Sequence, residues 1–87
     1  QDINDYLAKI DNSDYSSWLM LIKLADRLNN LRDLKLVKDI NKIQKKCEET
    51  REHYLSYAKK HNNYLYDEII KELHGLQRYY QKTGTNN

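Results

Sequence analysis

Lys23, Asp26, Asn30 and Asp33 stand three or four positions apart within IKLADRLNNLRDL, residues 22–34. On a helix this spacing lays them along one stripe beside Leu19 and Ile22. A carboxylate and an amide one turn apart suit a metal-and-ligand site. Asp26 offers oxygen to a hard divalent cation, and Asn30 hydrogen-bonds a ligand oxygen beside it. The same spacing also describes an ordinary solvated stripe in which Asp26 pairs loosely with Lys23 or Asn30. An arbitrary Asp on an amphipathic helix is usually of that second kind.

The other reactive side chains point nowhere as specific. His53, His61 and His74 sit in lysine-rich helical contexts and are expected at the surface. His53 and His61 lie eight apart with Tyr57 midway and share a helix face, but no third ligand accompanies them for a zinc site. Cys47 is the single cysteine, which excludes a disulfide framework or a thiolate cluster and suits a reducing compartment. It falls on an apolar stripe, where a buried, inert thiol is expected. Trp18 and the Tyr79-Tyr80 pair have the rings to stack bases, yet no basic channel accompanies them, so they read as core or docking aromatics.

Helices must position all of these residues. The 87-residue chain has no Pro and only two Gly, Gly75 and Gly84, so it lacks material for hairpin turns, and its composition predicts an all-α fold of about four helices. Ile3, Tyr6, Leu7 and Ile10 predict a short helix, followed by a break over residues 11–14 with Ser13 or Asp14 as the cap. A second helix is predicted from Tyr15 to Arg32, with Trp18, Leu21, Leu24, Ala25, Leu28 and Leu31 on one broad apolar face. Residues 35–38 read as a connection. A long third helix, residues 39–61, carries Ile40, Ile43, Cys47, Tyr54, Tyr57 and Ala58 as its buried stripe, with the Lys/Glu run from Lys42 to Glu52 on its solvated face. Asn62-Asn63 reads as a break in left-handed geometry. A fourth helix over residues 65–80 buries Ile69, Ile70, Leu73 and Leu76, and the polar tail from Lys82 to Asn87 is expected to be disordered.

A chain of this length buries only about 60–65% of its unfolded surface, so one modest core is expected. Eight Tyr and no Phe mean that its aromatic bulk must also place hydroxyls in water or on partners. Fifteen basic against 13 acidic side chains leave a net charge of +2, which gives no electrostatic case for nucleic acid or an anionic membrane surface. No apolar run reaches membrane-spanning length and no signal-type start is present, so a cytoplasmic location is expected. The sequence starts at Gln1 rather than Met, as expected of a piece of something longer.

Taken whole, Ile22-Lys23-Leu24-Ala25-Asp26-Arg27-Leu28-x-Asn30-Leu31-Arg32-Asp33-Leu34 resembles the last motif of HD-domain phosphohydrolases. The likeness is greatest to the RelA/SpoT-type hydrolases that remove the 3′-pyrophosphate of the alarmone ppGpp. Their pattern is approximately [IV]-K-[LI]-A-D-[RK]-L-x-N-[ML]-R-[TD]-L. A second block, Glu49-Thr50-x-Glu52-x-Tyr54-x-x-x-Ala58, is similar to the E-T-x-E-x-Y-x-x-x-A segment of the same enzymes, and the lead-in from Asp5 to Ile10 resembles small HD hydrolases. The resemblance implies that residues 1–82 are the C-terminal half of an HD-type helical domain, with 83–87 a polar tail. It implies that Asp26 is the final ligand of a Mn²⁺-type centre whose other ligands are a His and a His-Asp doublet from earlier helices. The metal would lower the pKa of a water that attacks the pyrophosphate phosphorus. Asn30 would contact the guanosine nucleotide, Tyr54 would line its sugar or base pocket, and Lys23 and Asp33 would support the site. Asp33 occurs in small single-domain members where long bifunctional ones often have Thr, and Asn29 replaces a common His or Tyr.

No His in the chain precedes Asp26 and none is followed by Asp, so the first three ligands are absent from these 87 residues. The expectation is a fragment that is inactive alone and whose missing half, or a second copy, covers an exposed apolar face around Trp18, Leu21 and the Tyr54 stripe. The alternatives are a non-catalytic helical interaction module on the same scaffold, and an HD hydrolase of another nucleotide.

Overall fold

The computed structural model describes residues 3–11 and 16–84, all but a few of them helical. The elements are α1 (Ile3–Asp11), α2 (Ser16–Asp33), a 3₁₀ turn (Leu34–Leu36), α3 (Ile40–Glu49), a π-helical turn (Thr50–Tyr54), α4 (Leu55–His61) and α5 (Asn63–Gly84). Because α3, the π turn and α4 run on without a break, four rods result, and the expected all-α architecture of about four helices holds. The expected cap residues Ser13 and Asp14 lie outside the described residues.

Each rod buries a stripe set by its 3.6-residue period. Leu7 comes from α1; Met20, Leu24, Leu28 and Leu31 from α2; Ile43, Cys47, Tyr54 and Ala58 from the long rod; and Ile69, Leu73, Leu76 and Tyr80 from α5. The buried arc of α2 centres on Leu24, Arg27 and Leu31. Trp18 stands roughly 120° from Leu24 on the helical wheel. It is therefore 67% exposed rather than part of the apolar face expected of it. Leu21 and Ala25 are half-buried at the edge of that arc, as is Ile70 on α5.

Asp39 starts α3 as an N-cap, its Oδ1 accepting the Lys42 N–H at 3.2 Å. The break at residue 62 is not left-handed. Asn62 is extended (φ −161°, ψ 107°), and its Oδ1 accepts the Leu65 N–H at 3.0 Å, so it caps the start of α5. The short side-chain amide that tolerates left-handed geometry is equally a good N-cap, and the latter role prevails here. α5 continues through Gly84, so residues 82–84 belong to a helix rather than to the expected disordered tail; residues 85–87 lie outside the described residues.

Ion pairs tie the rods at their edges. Arg32 on α2 reaches Glu68 (3.3 Å) and Glu72 (3.9 Å) on α5, and Lys35 reaches Glu72 at 3.1 Å. Arg51 of the π turn donates to Gln77 Oε1 at 2.7 Å and Tyr80 Oη at 3.3 Å on α5. His61 is not the surface residue expected. Its side chain is 9% exposed and its Nε2 lies 2.6 Å from Asp11 Oδ1, while Lys60 holds Asp11 Oδ2 at 2.7 Å. This clasp joins the C-terminal end of α1 to that of α4. The hydrogen bond from Lys60, then the one from His61, holds the Asp11 carboxyl below the ordinary carboxylate value. His53 is half-buried and His74 exposed.

Candidate functional site

Asp26, Asn29, Asn30 and Asp33 all lie exposed on the outer face of α2. Their neighbours on that face are Trp18, Leu19 (36% exposed) and Ile22 (50% exposed). The face thus combines a carboxylate-amide stripe with a short apolar ridge, and the neighbouring helices pack on the opposite side. Among the described residues no group of three or more His, Cys, Asp or Glu converges as a metal cage would require. As a hard oxygen donor Asp26 has the right chemistry for a Mn²⁺-type ion, but the number of donors present falls short of such a centre.

On the inner edge of the same motif the structure brings one predicted site residue, Tyr54, against α2. Arg27 turns into the core and meets the second motif directly. Its Nη2 donates to Tyr54 Oη at 2.8 Å and stands 3.0 Å from Glu49 Oε1. Its guanidinium carbon lies 4.1 Å from the centroid of the Tyr54 ring. Lys46 approaches the same Glu49 oxygen at 3.8 Å. One buried cation therefore takes a hydroxyl, a carboxylate and an aromatic face, which fixes the Tyr54 ring and the α2–α3 spacing together.

The π turn presents both partners. Thr50 is fully buried, and its hydroxyl donates to the Lys46 carbonyl at 2.8 Å, the back-bonding geometry that loosens a helical ladder. At the end of the turn the Leu55 N–H reaches Thr50 O, five residues back. A single wide turn of this kind is frequently found at functional sites. Glu49 immediately precedes it and Tyr54 is its last residue, so the loosened segment is the one that grips Arg27.

Lys23, one turn before Arg27, is half-buried with its ammonium 5.1 Å from the centroid of the Tyr6 ring. The Tyr6 side chain is the main cause of its raised pKa, with smaller contributions from Asp26 and Tyr54. Lys23 thereby braces α1 against α2. Cys47 is wholly buried, and burial pushes its thiol up, so it stays an un-ionised packing residue.

Arg27 and Glu49 are the residues that spacing alone passed over. The available signal was an arginine in the middle of the apolar arc Leu24-Leu28-Leu31, a position that demands a buried counter-charge. The Lys/Glu run places Glu49 on the solvated face of the long helix; its 3.8 Å pairing with Lys46 is longer than its 3.0 Å contact with Arg27. No known protein family, curated protein or solved structure matches the chain.

Proposed function

We propose that this chain is the C-terminal part of a metal-dependent HD-type phosphohydrolase, acting on a guanosine 3′-pyrophosphate such as ppGpp in the cytoplasm and inactive by itself. The observation that carries the reading is the direct packing of the two motif-like segments, Arg27 of IKLADRLNNLRDL on Glu49 and Tyr54 of ETREHY. Two segments that resemble one family independently are thus also spatial partners, with Asp26 and Asn30 one turn apart on the exposed face of the same helix.

In this reading Asp26 contributes one carboxylate to the metal, whose role is to activate water. Asn30 hydrogen-bonds the nucleotide, Tyr54 lines its pocket, and Lys23 and Asp33 support the helix that carries them. The His and His-Asp ligands come from residues outside these 87, and the helices bearing them cover Trp18, Leu19 and Ile22. Manganese-dependent release of pyrophosphate from ppGpp is the assay. The 87-residue chain should show none, and robust turnover by it alone would remove the fragment reading. In the gene, codons ahead of Gln1 should specify a His and then a His-Asp pair within roughly 100 residues, the span that completes one domain.

The exposed Trp18-Leu19-Ile22 ridge also favours a second reading, a non-catalytic interaction module on the same scaffold that associates through that ridge with itself or another protein. Asp26 and Asn30 are then plain surface polars. An HD-type hydrolase of a different nucleotide keeps the metal chemistry and changes only the base or sugar contact made near Tyr54.

A further inference from the structure

Among the described residues Arg27 is the one charged residue in the core, 7% exposed, and its hydrogen bonding is lopsided. Nη2 serves both Tyr54 Oη and Glu49 Oε1. Nη1 carries two further protons, has almost no exposed surface, and meets no acceptor among the described residues. A guanidinium has no acceptor to offer and does not give up its charge, so these protons call for a group that brings oxygen. A buried donor without one is costly to keep. Lys23 stands one turn earlier on α2, its ammonium 5.1 Å from the centroid of the exposed Tyr6 ring and hydrogen-bonded to that side chain. Arg27 and Lys46 share the one carboxylate of Glu49, so the local balance favours an anion.

We propose that Arg27 and Lys23 form an oxyanion site of the phosphoryl class, Nη1 taking one oxygen and the Lys23 ammonium a second after turning off the Tyr6 ring. The planar fork suits adjacent oxygens of a phosphate or pyrophosphate. Glu49 holds the guanidinium in place through Nη2 and, by its charge, limits the affinity. The choice of pyrophosphate as the anion rests on the nucleotide reading proposed above; the site itself does not. It lies on the inner edge of α2 and uses neither Asp26 nor a metal.

The test is titration of the full chain with inorganic pyrophosphate in metal-free buffer, read by calorimetry and by the side-chain NMR signals of Arg27 and the Tyr54 ring. Saturable binding that moves those signals is expected. Arg27→Lys keeps the charge and loses the fork, and should weaken binding about tenfold or more. Lys23→Met should weaken it several-fold, and Glu49→Gln should tighten it. The last two variants carry the test if Arg27→Lys does not fold. Binding indifferent to both of them assigns the anion to the Lys42, Lys45 and Lys46 side chains and overturns the proposal. So does the absence of saturable binding, or binding that leaves the Arg27 signals unmoved, since Nη1 is then satisfied by water only. Metal-free binding that persists in Asp26→Asn upholds this site, and absence of manganese-dependent turnover from the unsubstituted complete protein then removes only the hydrolase reading.

Discussion

Replacing Arg27 and Tyr54 singly and together measures how strongly the two motif segments are joined. Tyr54→Phe removes the hydroxyl that accepts from Nη2 at 2.8 Å and keeps the stacked ring. A hydrogen bond to a charged group contributes about 1.5–3 kcal/mol. Glu49 remains on the same nitrogen at 3.0 Å and takes up part of the loss, so about 1–2 kcal/mol is expected for the single change. Arg27→Met retains much of the aliphatic stem, but it strands the Tyr54 hydroxyl and leaves Glu49 without its buried partner, costing about 2–3 kcal/mol. In Arg27→Met/Tyr54→Phe the hydroxyl is no longer stranded, so the double variant should lose about 1–2 kcal/mol less than the sum of the singles. Repeating the cycle with Tyr54→Leu adds the cation–ring contact and should raise the coupling by roughly 0.5–1 kcal/mol. Urea unfolding followed by circular dichroism gives these numbers, because a domain of this size unfolds in one step and about 1 kcal/mol moves its Tm by roughly 4–8 °C. A coupling below about 0.3 kcal/mol, the level at which independent sites add, would refute the reasoning that Arg27 joins the segments.

Asp11→Asn should cost about 1–2 kcal/mol near neutral pH by loosening the α1 clasp to Lys60 and His61. Because the folded-state pKa of Asp11 lies below its ordinary 3.8, its contribution is present above that value and is lost as pH falls through the folded one. The variant should therefore flatten that acid limb in a plot of stability against pH. Gly75→Ala should stabilise by about 0.5–1 kcal/mol, since a Cβ there meets nothing within 4 Å and the helix gains a better former; a rise in Tm checks it. Cys47 should react with a thiol reagent only as fast as the protein opens, and rapid labelling of the native state would contradict its complete burial.

The helices were legible because the apolar period is regular: Leu24, Leu28 and Leu31, Ile43, Cys47 and Ala58, and Ile69, Leu73 and Leu76 all occupy the core that spacing assigns them. What escaped were the choices that depend on a partner helix. Trp18 has the right residue type for a core, but the centre of the α2 stripe is fixed by what α4 and α5 present, and that centre lies away from it. Arg27 reads as a surface charge until Glu49 and Tyr54 are placed opposite, and His61 reads likewise until Asp11 arrives from a helix 50 residues earlier. The π turn at Thr50 has no periodicity signature, because Thr50, Tyr54 and Ala58 fit an ordinary helical stripe as well. Asn62 announced a boundary without saying whether it closed one helix or opened the next. Of the candidate site, the outer stripe of Asp26, Asn30 and Asp33 was readable, whereas the inner contact that joins it to Tyr54 emerged only in three dimensions.

The most direct measurement is manganese-dependent pyrophosphate release from ppGpp by the complete protein its gene encodes, including every residue ahead of Gln1, with and without Asp26→Asn. The account predicts turnover that requires the metal and falls on the order of a hundredfold or more when Asp26 loses its charge. Absence of turnover in the complete protein, or turnover that Asp26→Asn leaves unchanged, would contradict it.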